Sequence, residues 1–382
     1  MDLKVIGQRF ASRREAMGAS RALAARWSGL SADRVAEIEV GTNPVSAREF
    51  EALCRGLAVN PAALYRGEEG DPRWTAARFR SDCILPHPEP GDVRALAVAA
   101  EVGRTLAALL AGLGRPVALA EYRQQVAIEG AGRAGWRRGY ALGERARGAL
   151  APESGPISDM EALLVSLGVH VLRVAFSTPD IDGASLWEPG AAPVILLNVR
   201  SRRVAARLPR RAVLAHELCH LLHDAERGAD LTTRVSWTEG TGTWSDAVEV
   251  RARAFAPAFL APPRQVRTWA AMLAEGTRAE PGRLLRSLAR HWGLSFEGAA
   301  WHAKNVGLVE ESAARVLLAE GASLPTRDAR KFEHSAGDAL ADADGAATRS
   351  AVFQGYAASL VRDALDVGSI SAGRAEELLA WQ

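Results

Sequence analysis

The sequence predicts an α+β protein, and three observations carry that reading. The first ~65 residues read as a run of short helices. Two strand-forming runs, Val169-His-Val-Leu-Arg-Val174 and Val194-Ile-Leu-Leu-Asn198, lie mid-chain. Helical periodicity surrounds them and dominates beyond residue 265. At 382 residues the chain exceeds one ordinary domain of ~150 residues. With 48% hydrophobic and 24% charged residues it has the balance of a folded protein, which excludes wholesale disorder. The formal net charge of +2 sets up no global field toward polyanions. Of the 47 basic residues all but Lys4, Lys304 and Lys331 are arginines. That bias, with abundant Ala and Gly, reflects a GC-rich genome rather than a function.

The amino-terminal elements follow from apolar spacing and turn chemistry. Val5, Ile6 and Phe10, then Leu23 and Ala24, Val35 and Ile38, and Phe50, Leu53, Leu57 and Leu64 recur at helical intervals. Gly18, Ser28-Gly29, Gly41-Thr42-Asn43-Pro44 and Asn60-Pro61 break them. Ser31 is placed to cap the helix carrying Ala32 to Glu39. Short helices at this spacing form a helix-turn-helix pattern over residues 1–68. Residues 69–91, rich in Gly, Asp, Pro and Glu, read as a linker. An Ala/Leu-rich helix is expected over 92–113, with further helices at 139–150 and 158–167 and one from about Arg210 to His223. The expected units are thus 1–68, the linker 69–91, an α+β core over 92–265 and a helical region over 266–382.

The chemistry lies in Ala212-Val-Leu-Ala-His216-Glu217-Leu-Cys-His220. His216 and His220 stand at i, i+4, so both imidazoles share one helix face and can grip one metal ion. Glu217, beside the first histidine, can take a proton from a metal-bound water. A catalytic zinc needs a third protein ligand and an open fourth position. Glu249, 29 residues beyond His220, is the candidate. From spacing alone it reads equally well as a solvated glutamate at a helix amino terminus.

These residues resemble the ImmA/IrrE family of zinc metallopeptidases. The matching features run in order: Gly168-Val169-His170-Val171, a glycine loop at Asp182-Gly183, the strand Ile195-Leu-Leu-Asn198, Ala215-His-Glu-Leu-x-His220, Glu249-x-x-Ala252-x-x-Phe255-Ala256 and Leu260-x-Pro262. They cover roughly residues 138–265. The chain departs from the family pattern at Cys219, usually Gly, at Arg253, commonly Asn, and at Pro209-Arg-Arg-Ala-Val213, where Arg-Phe-Thr is usual. The resemblance implies a small zincin-like core of metal-binding helices on a short sheet. It implies one catalytic Zn2+ held by His216, His220 and Glu249, with Glu217 as general base. It further implies a helix-turn-helix repressor protein as substrate, cut to induce a stress-response, mobile-element or antiphage-defence operon. The peptidases of CapP type in such defence operons share this domain order.

The amino-terminal segment resembles an XRE-type helix-turn-helix, Ile38-Glu39-Val40-Gly41 matching the end of its recognition helix. The exposed side of that helix carries Arg34 but also Asp33 and Glu37, whereas base readout prefers Arg, Lys, Asn and Gln. The module therefore reads either as a DNA binder or as a dock for the substrate or the peptidase domain. A second helix-turn-helix-like stretch at residues 283–301 reads as scaffold. The rival reading of the whole chain is a DNA-binding regulator with a structural or vestigial zinc site.

Other candidates are weighed individually. Cys83, in the linker, can act as an inhibitory zinc ligand or as an apolar filler. Cys54 and Cys219 read as core packing, and His170 as a structural strand residue. His223 and Asp224 read as a solvated helix end, with one of them orienting a ligand imidazole as the alternative. Arg200, Arg202, Arg203, Arg207, Arg210 and Arg211 read as a solvated face; Arg202 and Arg203 could line a groove for single-stranded DNA acting as an activator. Ile195 to Asn198 can be a core strand, a sheet edge for an extended peptide, or both. The odd cysteine count fits a reducing compartment, and the sequence shows neither a signal peptide nor a membrane span, so a cytoplasmic protein is expected.

Overall fold

Polar caps set the boundaries of the amino-terminal helices in the computed structural model, which describes residues 2–67, 89–126, 135–188, 190–224, 232–237, 247–320 and 353–381. The five helices are α1 (Leu3–Ala16), α2 (Arg21–Ser28), α3 (Ala32–Val40), α4 (Ala47–Gly56) and α5 (Pro61–Arg66). Asp2, Ser20, Ser31, Ser46 and Asn60 each accept a backbone N–H of the first turn. Gly41 ends α3 in the left-handed region at φ 72°, and a Cβ there would come within 2.8 Å of the Lys4 backbone. Buried Glu39 accepts from Arg14 Nε at 2.6 Å and Arg21 Nε at 2.8 Å, tying α1, α2 and α3 together. Cys54 is fully buried in α4, and burial pushes its thiol pKa up.

Beyond this unit come α6 (Pro90–Gly112), α7 (Ala118–Val126), α8 (Gly135–Leu150) and α9 (Met160–Ser166). The strands β1 (His170–Val174), β2 (Ile181–Trp187) and β3 (Val194–Asn198) follow, then α10 (Arg202–Ala205), α11 (Arg207–His223), β4 (Thr232–Trp237) and α12 (Ala247–Leu260). Helices α13 (Pro263–Ala271), α14 (Glu275–Arg278), α15 (Pro281–Trp292), α16 (Phe296–Asn305) and α17 (Glu311–Ala319) precede a final pair, α18 (Gly355–Asp366) and α19 (Ala372–Leu379).

The four strands form one sheet in the order β1-β3-β2-β4. β1 runs parallel to β3, pairing His170 with Val194, and β2 is antiparallel to both β3 and β4. The apolar run Val194-Ile-Leu-Leu is explained by burial on both faces. Val194 and Leu196 join one core with α6, while Ile195 and Leu197 join a second with α11 and α12.

Two expectations are corrected here. β3 pairs on both sides, so Ile195 to Asn198 is a core strand and not an edge for a peptide. Asp182-Gly183 belongs to β2, at an irregular register between Ile181 and Gly183, rather than to a loop. The sequence hides β2 because Asp182, Gly183 and Ser185 break the apolar alternation, yet all three are buried.

The first core joins α1–α5, α6, one sheet face and α18–α19; the second joins the other face to α8, α11, α12 and α15–α17. α6 is long and apolar enough to cross a membrane by length and composition, but 67% of its apolar window is buried inside the protein. The apolar stretch around Leu106 is thus part of a core helix close to the one expected over 92–113.

Candidate metal centre

Helix α11 presents His216 and His220 from one buried face. Their exposures are 6% and 0%, and Glu217 between them is fully buried. Leu214, Leu218, Cys219, Leu221 and Leu222 fix the rest of the helix in the second core. The Cys219 thiol is fully buried beside Arg251, and burial pushes its pKa up.

Helix α12 brings Glu249, in its first turn, against the two imidazoles. The Nε2 atoms of His216 and His220 lie 3.0 Å apart, and the Glu249 carboxylate is 3.2 Å from one and 3.3 Å from the other. Ligand atoms ~2.0–2.1 Å from a tetrahedral ion stand about 3.3 Å from each other. The three donors, all within 4.8 Å of one another, therefore have the spacing of three corners of such a shell. Two imidazoles and one carboxylate are also the donor chemistry that zinc takes, so the residues fit the ion that the sequence implies.

Electrostatics in this cluster follow from burial and mutual contact. Burial alone disfavours a charged His220, but Glu249 and the hydrogen bond that His220 donates to Asp224 outweigh it and raise its pKa to about 10. Burial likewise opposes an ionised Glu249, yet the two imidazoles hold its carboxyl well below the usual range.

Asp224 corrects the reading of a solvated helix end. Its Oδ2 lies 2.7 Å from His220 Nδ1, and its Oδ1 accepts from Arg251 of α12. The carboxylate orients the imidazole so that Nε2 faces His216 and Glu249. Contact with His220 and Arg251 outweighs burial and lowers the Asp224 pKa to about 2. His223 packs edge-on to Phe255 at 5.9 Å, and burial lowers its pKa to about 3.

Glu217 points at β2. A Cβ at Gly183 would lie 3.4 Å from Glu217 Oε1 and 2.8 Å from the Leu196 carbonyl, so glycine makes room for both the carboxylate and the neighbouring strand. Next to it, Asp182 is buried and accepts from Ser201 Oγ at 2.5 Å, with Arg203 at 3.9 Å; burial raises its pKa.

Arg210 and Arg211 depart from the solvated face expected of the arginine run, whereas Arg200 and Arg202 are exposed and Arg203 and Arg207 half-buried. Arg211 is fully buried and donates to the carbonyls of Ile157 at 2.7 Å and Gly293 at 3.1 Å. Arg210 is 3% exposed, donating to the Val204 carbonyl at 3.2 Å, and Arg200 donates to those of Phe176 and Ser177. Arg210 and Arg211, adjacent in α11, are both buried against carbonyl acceptors, which composition cannot reveal.

In the helix-turn-helix unit, Arg34 is engaged within the domain. It donates to Glu49 at 2.7 Å, Glu37 at 2.8 Å and the Pro44 carbonyl at 2.6 Å, joining α3 to α4. His170 is buried in β1. Cys83 lies outside the described residues. The 283–301 stretch forms α15 and α16 against the second core, where buried His302 bonds Tyr140 of α8.

The sequence reading held Asp224 only as an alternative and missed Arg251 and the glycines of α8. Asp224 at i+4 from His220 and the Gly139-x-x-x-Gly143 spacing were the available signals. Comparison with curated proteins gives no match. Residues 165–302 match the family model of the IrrE N-terminal-like domain of peptidase family M78, beginning later than the expected 138–265 span and running past it into α16. Residues 5–66 match a helix-turn-helix domain model. The chain thus carries a helix-turn-helix domain followed by an ImmA/IrrE-type domain of the M78 peptidases.

Proposed function

We propose that the chain is a zinc-dependent endopeptidase that cleaves a partner helix-turn-helix repressor and so induces a stress-response, mobile-element or antiphage-defence operon. The convergence of His216, His220 and Glu249 beside Glu217, inside an M78-type domain, carries the proposal. Zinc held by the three ligands would polarise the scissile carbonyl and acidify a bound water to a pKa of ~7. Glu217 accepts the water's proton and returns it to the departing amine. Asp224 and Arg251 keep His220 in the ligating orientation. A signal gates the activity, and single-stranded DNA is the candidate signal.

A structural-zinc regulator would want four protein donors and no general base. Three donors cluster among the described residues, and Glu217 sits on the same helix outside that trio. The test is co-expression of wild type and Glu217→Gln with neighbouring helix-turn-helix repressors, with and without single-stranded DNA, scored for a cut product. Wild type is expected to cut; the variant should bind equal zinc but lose activity by about a hundredfold or more. Zinc binding without cleavage of any repressor, with or without DNA, would sink the reading.

A further inference from the structure

A cavity of about 970 Å³ opens beside His216 and continues away from the metal cluster between α8, α11, α12 and α16. Its wall is largely apolar, formed by Trp136, Leu208, Val213, Leu260, Leu294 and Trp301. The volume lies at the upper end of the ~300–1,000 Å³ usual for ligand pockets.

The polar groups of this wall are already engaged. Tyr140 donates to His302 Nδ1 at 2.9 Å and accepts from Asn305 at 3.1 Å, while His302 Nε2 donates to the Ala261 carbonyl at 2.8 Å. Asp182 has Ser201 and Arg203. Arg315 pairs with Glu311 at 2.6 Å and covers the Trp301 ring. Arg253 and Glu297 have partners as well. A charged ligand group would enter a space whose counter-charges are committed elsewhere, at a desolvation cost. An apolar group would only displace water.

We infer that this cavity is the specificity pocket of the site and takes a large apolar side chain, aromatic or leucine-like, of the substrate polypeptide next to the scissile bond. The inference rests on the peptidase reading for its position in the reaction, and on the cavity alone for its ligand chemistry. An extended peptide lying across His216 directs alternate side chains to one side, so one residue flanking the bond enters between Trp136 and Trp301.

The test compares acetyl-phenylalanine hydroxamate with the glycine and aspartate analogues on the full zinc-loaded chain. All three share the metal-binding group, so their difference reads the cavity. The phenylalanine compound is expected to bind about tenfold tighter or more. Ala212→Trp, filling the cavity from α11, should erase that difference and leave the glycine compound within about twofold; Leu208→Phe serves as a second filler should the first not fold. Equal affinities, a preference for aspartate, or a preference that survives both fillers overturns the pocket. A chain that takes up no zinc overturns the peptidase reading instead. The pocket is then read on metal-free protein, where acetyl-phenylalanine amide, but not acetyl-aspartate amide, should shift the indole N–H resonances of Trp136 and Trp301. Absence of that shift overturns it.

Discussion

His302 is an imidazole kept neutral where a free one titrates. Burial lowers its pKa to about 4, and the neutral ring is fully bonded, Nε2–H to Ala261 and Nδ1 from the Tyr140 hydroxyl. Below an unfolded pKa of ~6.5 the unfolded chain binds a proton that the native one refuses. Its contribution is therefore complete above pH ~6.5 and is lost as pH falls toward 4. Between pH 7.5 and 5 wild type is expected to lose about 2 kcal/mol more unfolding free energy than His302→Asn, as read from urea midpoints. Parallel losses in the two proteins would show that His302 does not titrate on unfolding. The same scale explains what the sequence revealed of the metal cluster. His216 and His220 were legible because i, i+4 spacing on one helix is enough to juxtapose them. Asp224 was legible only as an alternative to a solvated helix end, because its burial depends on Arg251 arriving from another helix.

At the scale of elements, the approach of α8 to α12 positions Glu249. A Cβ at Gly139 would lie 2.2 Å from the Arg251 carbonyl, and one at Gly143 would lie 2.6 Å from that of Phe255. Both helices would have to separate to admit a methyl group. Gly143→Ala is expected to cost about 1–3 kcal/mol by overpacking and to weaken zinc binding by shifting α12. Gly148→Ala, on the same helix with nothing within 4 Å, is expected to stabilise by about 0.5–1 kcal/mol. Thermal unfolding with and without zinc distinguishes them; equal effects of the two substitutions would mean that the interface yields freely. Helices α8, α9 and α11 were readable from apolar periodicity, as were β1 and β3 from β-branched runs. The glycine spacing on α8 was visible too, but only a partner helix gives it meaning. β2 was hidden because Asp182, which lines the cavity, and Ser185 are buried, against the rule that reads such residues as loop.

At the scale of the molecule, α6 connects the two named domains and is covered on three sides. Gly103 lets the Ala192 carbonyl approach from the sheet side, where a Cβ would meet it at 2.6 Å. The helix-turn-helix unit reaches α6 through Arg94 Nε to the Gly56 carbonyl at 2.8 Å and Asn60 to Glu101 at 3.3 Å. The carboxy-terminal pair closes the third side, with Asp363 accepting from Arg115, just beyond α6, at 2.8 Å. Phe353 stacks on Trp381 at 5.9 Å, and with Leu360, Val361 and Leu378 they are buried in the shared core. Burying each such side chain is worth roughly 1.5–3 kcal/mol, which together rivals the ~5–15 kcal/mol net stability of a domain. A chain ending at residue 352 is expected to uncover part of the apolar surface of α6, a helix apolar enough to seek a membrane or another copy. It is expected to bind a hydrophobic dye strongly and to lose the cooperative unfolding of the helix-turn-helix unit, even though the metal ligands belong to the other core. Unchanged dye binding and an unchanged melting curve would show that α6 needs no cover from the carboxy terminus, and would leave the two cores energetically separate.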